Sequence, residues 1–338
     1  MDFQFRQKIL LLFSFLLGLI IFIWLGKIIG WEEIVASLSI FTGWQGLIIL
    51  LLSFLVAIIG NWRWKEILKD SGENVDFWNL FKIYLGGYAM MYLFPILVWG
   101  GEGFRVYGLT KKNKISWKKT FASVFIERIL EWTANIFIIF IGLFFFLYNV
   151  YLPPKEIIFI FGIFLILFVS VITYFYVKAL GKKSIVGQIF RNILKREISD
   201  DSSLLSVETE IFKYFQIKNK SFLKGVSISL LRAFVMQLRV WVLIIFIGGV
   251  VIDFFPSLSI LGFTYLSSMI PIPAALGSHE AIQYFAFKSL GLSVSMATVF
   301  TMIIRAAEIV VSSFGMIFLI KAGFKLLGKK ILKNGKSK

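Results

Sequence analysis

The chain has 338 residues, of which 58% are hydrophobic and only 16% are charged, and its mean hydropathy is +0.84. Soluble domains carry about 25% charged residues, so this composition excludes an ordinary soluble protein. The lack of cysteine excludes disulfides and thiolate metal sites, and a single histidine argues against a histidine-based catalytic metal centre. The sequence therefore predicts an all-α polytopic membrane protein, a single integral membrane domain over 1–338, with no metal and no cofactor.

Six apolar runs are long enough to cross a bilayer of about 30 Å as helices. The first follows Arg6 and Lys8 and has no small-residue cleavage site, so we expect an uncleaved first span. The six predicted spans are 9–29, 47–62, 120–148, 157–177, 222–250 and 295–320.

Two further apolar regions, 78–101 and 257–292, are broken by proline and glycine. The first is interrupted at Gly86 and Gly87 and again at Pro95. Irregular backbone inside a membrane must be buried in protein or line a cavity. We therefore predict two re-entrant helical hairpins, which with the six spans make eight hydrophobic segments. The residues expected to set the hairpin geometry are Pro95, Gly100, Gly101, Pro271, Pro273 and Gly277.

The positions of the basic residues indicate how the chain crosses the membrane. If 78–101 crossed fully, the following loop would carry six Lys and Arg residues on the outer side, against the positive-inside rule. A re-entrant region removes this conflict and places both termini and a basic loop over 178–221 in the cytoplasm. Arg63 then counts as a cytoplasmic loop charge and Arg105 as interfacial. The net charge of +17 mostly reflects this bias in a multi-pass protein of the cell membrane, so nucleic acid is not predicted as a partner.

A short motif of four residues occurs twice in the chain. A proline is followed after seven residues by a glutamate, and an arginine comes 25 or 26 residues after that glutamate. A second glutamate lies three residues after the arginine. With the predicted topology, the two copies lie in repeats of opposite orientation, at about 43–148 and 222–320. Inverted repeats are the arrangement by which many transporters place a site at the bilayer midplane. The two copies are Pro95, Glu102, Arg128 and Glu131, and Pro273, Glu280, Arg305 and Glu308.

Ionisable residues inside a membrane cost about 2.5–3.5 kcal/mol each on insertion scales, which makes them functional candidates. The spacing of Arg128 and Glu131, repeated in the second copy of the motif, predicts an ion pair on one helix face. Such pairs either brace the helices or form a charged cavity, and the sequence leaves both open. Arg232 and Arg239 are seven residues apart on one helix face, so they need an acidic partner elsewhere or an anionic ligand such as a lipid phosphate.

Glu102, and His279 with Glu280, lie where a half helix of each hairpin is expected to begin. A carboxylate there can cap the helix, bind a coupling ion or proton, or pair with a membrane arginine. The candidate site is a lipid-headgroup or charged-cavity site without catalytic residues. Its members are Arg128, Arg232, Arg239, Arg305, Glu102, Glu127, Glu131, Glu280, Glu308 and His279.

Three of these segments together resemble a known family. Gly-Gly-Glu102-x-x-Arg105, Glu127-Arg128 and the segment from Pro271 to Glu280 are similar to the transmembrane flippase domain of the lysylphosphatidylglycerol synthase/flippase family. The resemblance covers almost the whole chain and implies an inner-membrane protein that moves lipids between leaflets. Ala274 and Ala275 depart from the glycines usual in the second hairpin. The aminoacyltransferase domain is not found, so lysyl transfer is not expected and the chain is predicted not to be an enzyme.

The leading hypothesis is translocation of a phosphate-bearing lipid, either a phospholipid or a polyisoprenyl-linked lipid. The predicted partners are thus membrane lipids with anionic or phosphate-bearing headgroups. One alternative is a membrane enzyme acting on a polyisoprenyl phosphate, with Glu32 or Glu33 as an outer-face acid. Another is an accessory subunit of a lipid- or glycan-synthesis complex that docks through 178–221. No phosphate-binding loop of an ATP-driven motor occurs in the chain.

Overall fold

The computed structural model of the protein describes residues 43–93, 100–149, 155–195, 202–248, 253–268 and 278–335, which form eleven α-helices and no strand. The predicted span 9–29, Glu32, Glu33, Pro95, Pro271, Pro273 and Gly277 lie outside these residues. The helices are α1 (Trp44–Asp70), α2 (Phe77–Leu93), α3 (Gly100–Lys112), α4 (Trp117–Asn149), α5 (Lys155–Leu180), α6 (Ile185–Asn192), α7 (Ser203–Tyr214), α8 (Lys220–Gly248), α9 (Phe254–Ser268), α10 (Ser278–Ser289) and α11 (Val294–Gly335).

Four helices are long and apolar enough to cross a membrane, and they coincide with predicted spans. These are α1, α4, α8 and the Ser295–Ile320 part of α11. A fifth candidate is the pair formed by the end of α5 and by α6, which is bent by 109°. The predicted run 157–177 lies within α5, so the structure describes all the predicted spans except the first as helical.

The two broken regions each form two short helices. The helices α2, α3, α9 and α10 contain 17, 13, 15 and 12 residues, whereas about 20 residues are needed to cross a bilayer. The predicted interruption at Gly86 and Gly87 is wrong, because α2 continues through both. These glycines allow close packing instead: a Cβ atom on Gly87 would lie 2.6 Å from Cγ of Arg105 and 2.9 Å from the carbonyl oxygen of Gly101 on α3.

Helix packing links the two halves of the chain. The most extensive contacts join α9 to α4, α2 to α11, and α1 to α8. Glycine brings the first two pairs close together. A Cβ atom on Gly142 would lie 2.6 Å from the carbonyl oxygen of Leu258, and a Cβ atom on Gly315 would overlap the carbonyl oxygen of Leu85. Small residues are the usual means of close helix approach in membranes, where burial of apolar side chains gives no advantage over contact with lipid.

The helix α7 packs mainly on α4, and it also fixes the start of α6. Glu208 of α7 is buried and accepts hydrogen bonds from the backbone amides of Ile185, at 2.7 Å, and Val186, at 2.9 Å. It also accepts one from the Ser184 hydroxyl at 2.5 Å, and that hydroxyl accepts from the amide of Gly187 at 2.8 Å. The first turn of α6 therefore has its free amides satisfied by one carboxylate and one hydroxyl.

We expect Glu208→Ala to loosen the first turn of α6 while the helix bundle stays folded. Losing a capping side chain costs about 1 kcal/mol of local stability. The measurement is hydrogen exchange of the peptide that contains the Ile185 and Val186 amides, which should become several-fold faster. Glu210→Ala, two residues further along α7, is the control, and equal acceleration in both variants would contradict this role of Glu208.

Candidate functional site: a buried arginine–glutamate network

Glu127 on α4 is the centre of a buried charge network. Arg63 of α1 donates from Nη2 to one carboxylate oxygen of Glu127 at 2.5 Å, and Arg105 of α3 donates from Nη1 to the other at 2.9 Å. Glu127 and Arg63 are fully buried, and Arg105 is only 5% exposed. A single carboxylate thus joins three helices, and both of its oxygens accept hydrogen bonds from arginine.

The positions expected for Arg63 and Arg105 are therefore wrong. Arg63 is not a loop residue, because α1 continues past Trp62 to Asp70 and turns the Arg63 side chain inward. Arg105 is not at an interface, since its guanidinium lies over two buried rings, with Cζ 4.0 Å from the centroid of Trp64 and 4.9 Å from that of Tyr84. Contacts of this kind favour a cation that has been removed from water.

The sequence signal for Arg63 is limited to small residues that precede it at helical spacing, Ser53, Ala57 and Gly60. Buried residues of α1 recur every three or four positions, and this periodicity continues through the polar end of the helix. Arg63 falls on that face together with small and apolar residues. The buried face comprises Gly46, Ile49, Ser53, Val56, Ala57, Ile59, Gly60, Asn61, Arg63, Trp64, Ile67 and Leu68.

Arg128 and Glu131 extend the network along α4. The predicted pair between them is confirmed, with Nη1 of Arg128 donating to Glu131 at 2.8 Å. Arg128 also pairs with Glu102 in the first turn of α3. Arg232 of α8 donates to the other oxygen of Glu131 at 2.9 Å. Arg232 therefore has an interhelical carboxylate partner, one of the two alternatives left open by the sequence.

The second copy of the motif is paired differently from the prediction. Arg305 of α11 pairs with Glu280 in the first turn of α10 at 2.5 Å, and not with Glu308 on its own helix. This contact matches the pair between Arg128 and Glu102, because in both cases a short helix brings its first-turn glutamate to the following long helix. Half-buried Glu308 has no basic side chain within 4.0 Å in the part of the chain that the structure describes. His279, also half-buried, adjoins Glu280.

Arg239 on α8 differs from the other arginines of the site. It is 5% exposed, and its Nη1 donates to the Ser53 hydroxyl of α1 at 3.1 Å. Within the described residues, no carboxylate oxygen lies within 4.0 Å of its guanidinium, and its buried Nε has no hydrogen-bond partner. A buried cation without a direct ion-pair contact is energetically costly, so Arg239 is well suited to accept an anionic ligand.

The contact between Arg239 and Ser53 has a counterpart in the opposite direction. Arg63 of α1 donates from Nη1 to the Ser229 hydroxyl of α8 at 3.0 Å. Each serine also donates a 2.8 Å hydrogen bond to the carbonyl oxygen four residues earlier in its own helix. The two serines are as far apart along the chain as the two arginines, so α1 and α8 are joined by a reciprocal pair of contacts.

A groove of about 440 Å³ between α3 and α4 extends from this network. Glu102 lies in its lining, and the remaining walls are mostly apolar. Lys111 at the end of α3 and Trp117 at the start of α4 also line it. Other lining residues include Val106, Tyr107, Phe121 and Phe125.

The whole network lies within a region that matches one family model. Residues 11–315 match the model described as the lysylphosphatidylglycerol synthase TM region. The chain belongs to the lysylphosphatidylglycerol synthase transmembrane-region family. This confirms the resemblance predicted from the hairpin and Glu-Arg motifs, and it establishes a membrane protein with several apolar helices.

Two proteins, both called UPF0104 membrane proteins, are similar to this chain over most of their length. The chain is 27% identical over 308 residues to the UPF0104 membrane protein MJ1595 of Methanocaldococcus jannaschii, covering 89% of this chain and 90% of that one. It is 27% identical over 259 residues to the UPF0104 membrane protein PH1989 of Pyrococcus horikoshii, covering 72% and 76%. These names state a membrane location. No solved structure gives a significant match.

Proposed function

We propose that this protein is a lipid translocase that moves a phosphate-bearing lipid between the leaflets of the cell membrane. The observation that carries the proposal is the buried Arg239, whose guanidinium has a serine partner but no carboxylate within 4.0 Å among the described residues. A guanidinium binds phosphate through planar, bidentate hydrogen bonds. The headgroup would contact Arg239 while the acyl or isoprenyl tails remain in the bilayer or in the groove between α3 and α4.

The proposed architecture is a pair of inverted repeats, over about 43–148 and 222–320, each with a re-entrant hairpin. Three features support it. First, α2 packs on α11 as α9 packs on α4. Second, Arg128 pairs with Glu102 as Arg305 pairs with Glu280. Third, α1 and α8 exchange reciprocal contacts between arginine and serine. In this proposal both termini and the basic loop 178–221 are cytoplasmic.

The repeats differ at the position that supplies a carboxylate to Arg63 in the first repeat and none to Arg239 in the second. When Arg128 is aligned with Arg305, Glu127 corresponds to Ile304, which is buried. Arg63 of α1 thus has a carboxylate partner in Glu127, whereas the residue that corresponds to Glu127 in the second repeat, Ile304, offers no charge to Arg239. The first repeat therefore has the properties of a fixed scaffold, and the charge available for a ligand lies in the second repeat.

Glu308 is the acidic member of the proposed site. Its counterpart Glu131 has arginine partners at 2.8 and 2.9 Å, but Glu308 has none within 4.0 Å in the described parts of the chain. A half-buried carboxylate without a direct ion-pair contact is suited to bind a proton or a coupling cation. We propose that Glu308 carries this coupling charge or modulates the affinity of Arg239 for the headgroup.

We expect Arg239→Gln to slow headgroup translocation about tenfold or more, because a hydrogen bond to a charged group contributes about 1.5–3 kcal/mol. The measurement uses vesicles containing the reconstituted protein and a fluorescent phosphatidylglycerol, with chemical quenching of the label in the outer leaflet. Arg239→Lys is the matched control and should retain part of the rate, since it keeps the charge and loses only the bidentate geometry. A wild-type rate in a well-folded Arg239→Gln protein would contradict the proposal.

A further inference from the structure

We infer that α6 is an amphipathic helix that lies on the membrane surface and binds anionic lipid headgroups. This inference goes beyond the proposed translocation and does not depend on it. It concerns the α6 surface, defined as residues 174–195, which includes the end of α5 and the whole of α6. The arguments are the direction of α6, the distribution of its side chains and the charge around it.

The bend between α5 and α6 gives α6 an orientation suited to a membrane surface. The end of α5, from Leu165 to Leu180, makes an angle of 109° with α6. A helix that crosses the bilayer with a tilt of about 20° would therefore place α6 close to the membrane plane. The turn between them is well defined, because Lys182 has a φ of 51° and the amide of Lys183 donates to the carbonyl oxygen of Lys178 at 2.9 Å.

Side chains on α6 divide into an apolar and a polar face. Ile185, Ile189 and Ile193 are four residues apart and so lie on one face, with Val186 and Phe190 beside them. None of the side chains of α6 is buried, and Ile189 and Ile193 are 42% and 72% exposed. Ile185 packs in part against the buried cluster of α4, α5 and α7, but the described residues leave the part of this face with Ile189 and Ile193 open.

The polar face is fixed against α5. Gln188 accepts hydrogen bonds from Tyr174 at 3.1 Å and from Lys178 at 2.5 Å. On α5 itself, the exposed apolar residues Ile166, Leu167, Val171 and Val177 precede the bend. The lipid-facing side of α5 thus leads along the chain directly to the open apolar face of α6.

The positive charge of the α6 surface favours lipids with anionic headgroups. Its sequence contains five basic residues and no Asp or Glu. Basic residues beside an amphipathic helix attract anionic headgroups, while its apolar side chains enter the boundary between headgroups and acyl chains. Glu208, which accepts hydrogen bonds from the start of α6, is buried and so adds no exposed negative charge to this surface. The basic residues are Lys178, Lys182, Lys183, Arg191 and Lys195.

The test uses the absence of cysteine from the chain, which allows a single fluorophore to be placed at a chosen position. Ile193→Cys and, as a control on the polar face, Gln188→Cys are labelled and reconstituted into nanodiscs. The nanodiscs contain either phosphatidylcholine alone or phosphatidylcholine and phosphatidylglycerol in equal parts, and acyl-chain-brominated lipids serve as quenchers. We expect stronger quenching at position 193 than at 188, and a further increase at 193 when phosphatidylglycerol is present.

A charge variant separates anionic binding from simple apolar contact. Replacing Lys182, Lys183 and Arg191 with Gln in the Ile193→Cys protein should abolish the increase caused by phosphatidylglycerol. The ratio of bound to unbound helix is expected to change about fivefold for each basic residue removed. Equal quenching at 188 and 193, no quenching at 193, or an increase that persists in the charge variant would each overturn the inference. An unchanged melting temperature of the variant confirms that the bundle is intact.

Discussion

Glu127→Gln is expected to destabilise the protein by about 3–5 kcal/mol, the usual effect of removing one partner from a buried ion pair. Arg63 and Arg105 both donate to Glu127, and both would remain buried with their charges uncompensated. A neutral amide cannot offset two guanidinium charges, although it fills nearly the same volume. Thermal unfolding of the purified protein in detergent should show a clear fall in the midpoint.

The matched control is Glu308→Gln, which makes the same chemical change on α11. Because no basic side chain lies within 4.0 Å of Glu308 in the described structure, we expect a stability change below about 1 kcal/mol. The two variants also separate structure from the proposed function, since the proposed coupling role of Glu308 predicts that Glu308→Gln affects transport far more than folding. Equal losses of stability in both variants would show that Glu127 has no special role in holding α1, α3 and α4 together.

Gly315→Ala is expected to destabilise the contact between α2 and α11 by about 1–3 kcal/mol, as overpacking of a well-packed site commonly does. The new methyl group would overlap the carbonyl oxygen of Leu85 and lie 2.8 Å from the Cβ atom of Ala89. Backbone cannot move aside as the end of a flexible side chain can, so the helices themselves must separate. The unfolding midpoint and the yield of folded protein are the measurements.

Gly162→Ala on α5 is the control for this substitution. No atom lies within 4 Å of the added methyl group there, so a gain of about 0.5–1 kcal/mol from higher helix propensity is expected. A Gly315→Ala protein as stable as the wild type would mean that α2 and α11 pack less closely than the structure indicates.

Much of the helical organisation follows from hydropathy and from proline and glycine. Long apolar runs predicted the spans because one helix must be about 20 residues long to cross a bilayer. The spacing of Arg128 and Glu131 placed the two charges on one face, and that pair is present at 2.8 Å. The first-turn positions of Glu102 and Glu280 also agree with the expected starts of the short helices.

The errors arise where partners come from distant parts of the chain. Arg63 was assigned to a loop because it follows the end of an apolar run, but Glu127 on another helix compensates its charge and allows burial. Arg305 could reach either Glu280 or Glu308, and local spacing favoured Glu308. The approach of α10 to α11 decides in favour of Glu280, and sequence spacing along one helix holds no information about that distance.

The reciprocal contacts between α1 and α8 restrict how the two halves of the molecule can move. Arg63 of α1 donates to Ser229 of α8, and Arg239 of α8 donates to Ser53 of α1. The interface between α1 and α8 is therefore held by two hydrogen bonds that run in opposite directions. Sliding α1 along α8 by one helical turn, about 5.4 Å, would break both contacts together. A small rotation about this interface could preserve both, because long arginine side chains follow changes of angle. The interface between α1 and α8 thus keeps a fixed axial register. Such an interface favours rotation of the two helices about each other over sliding along their axes.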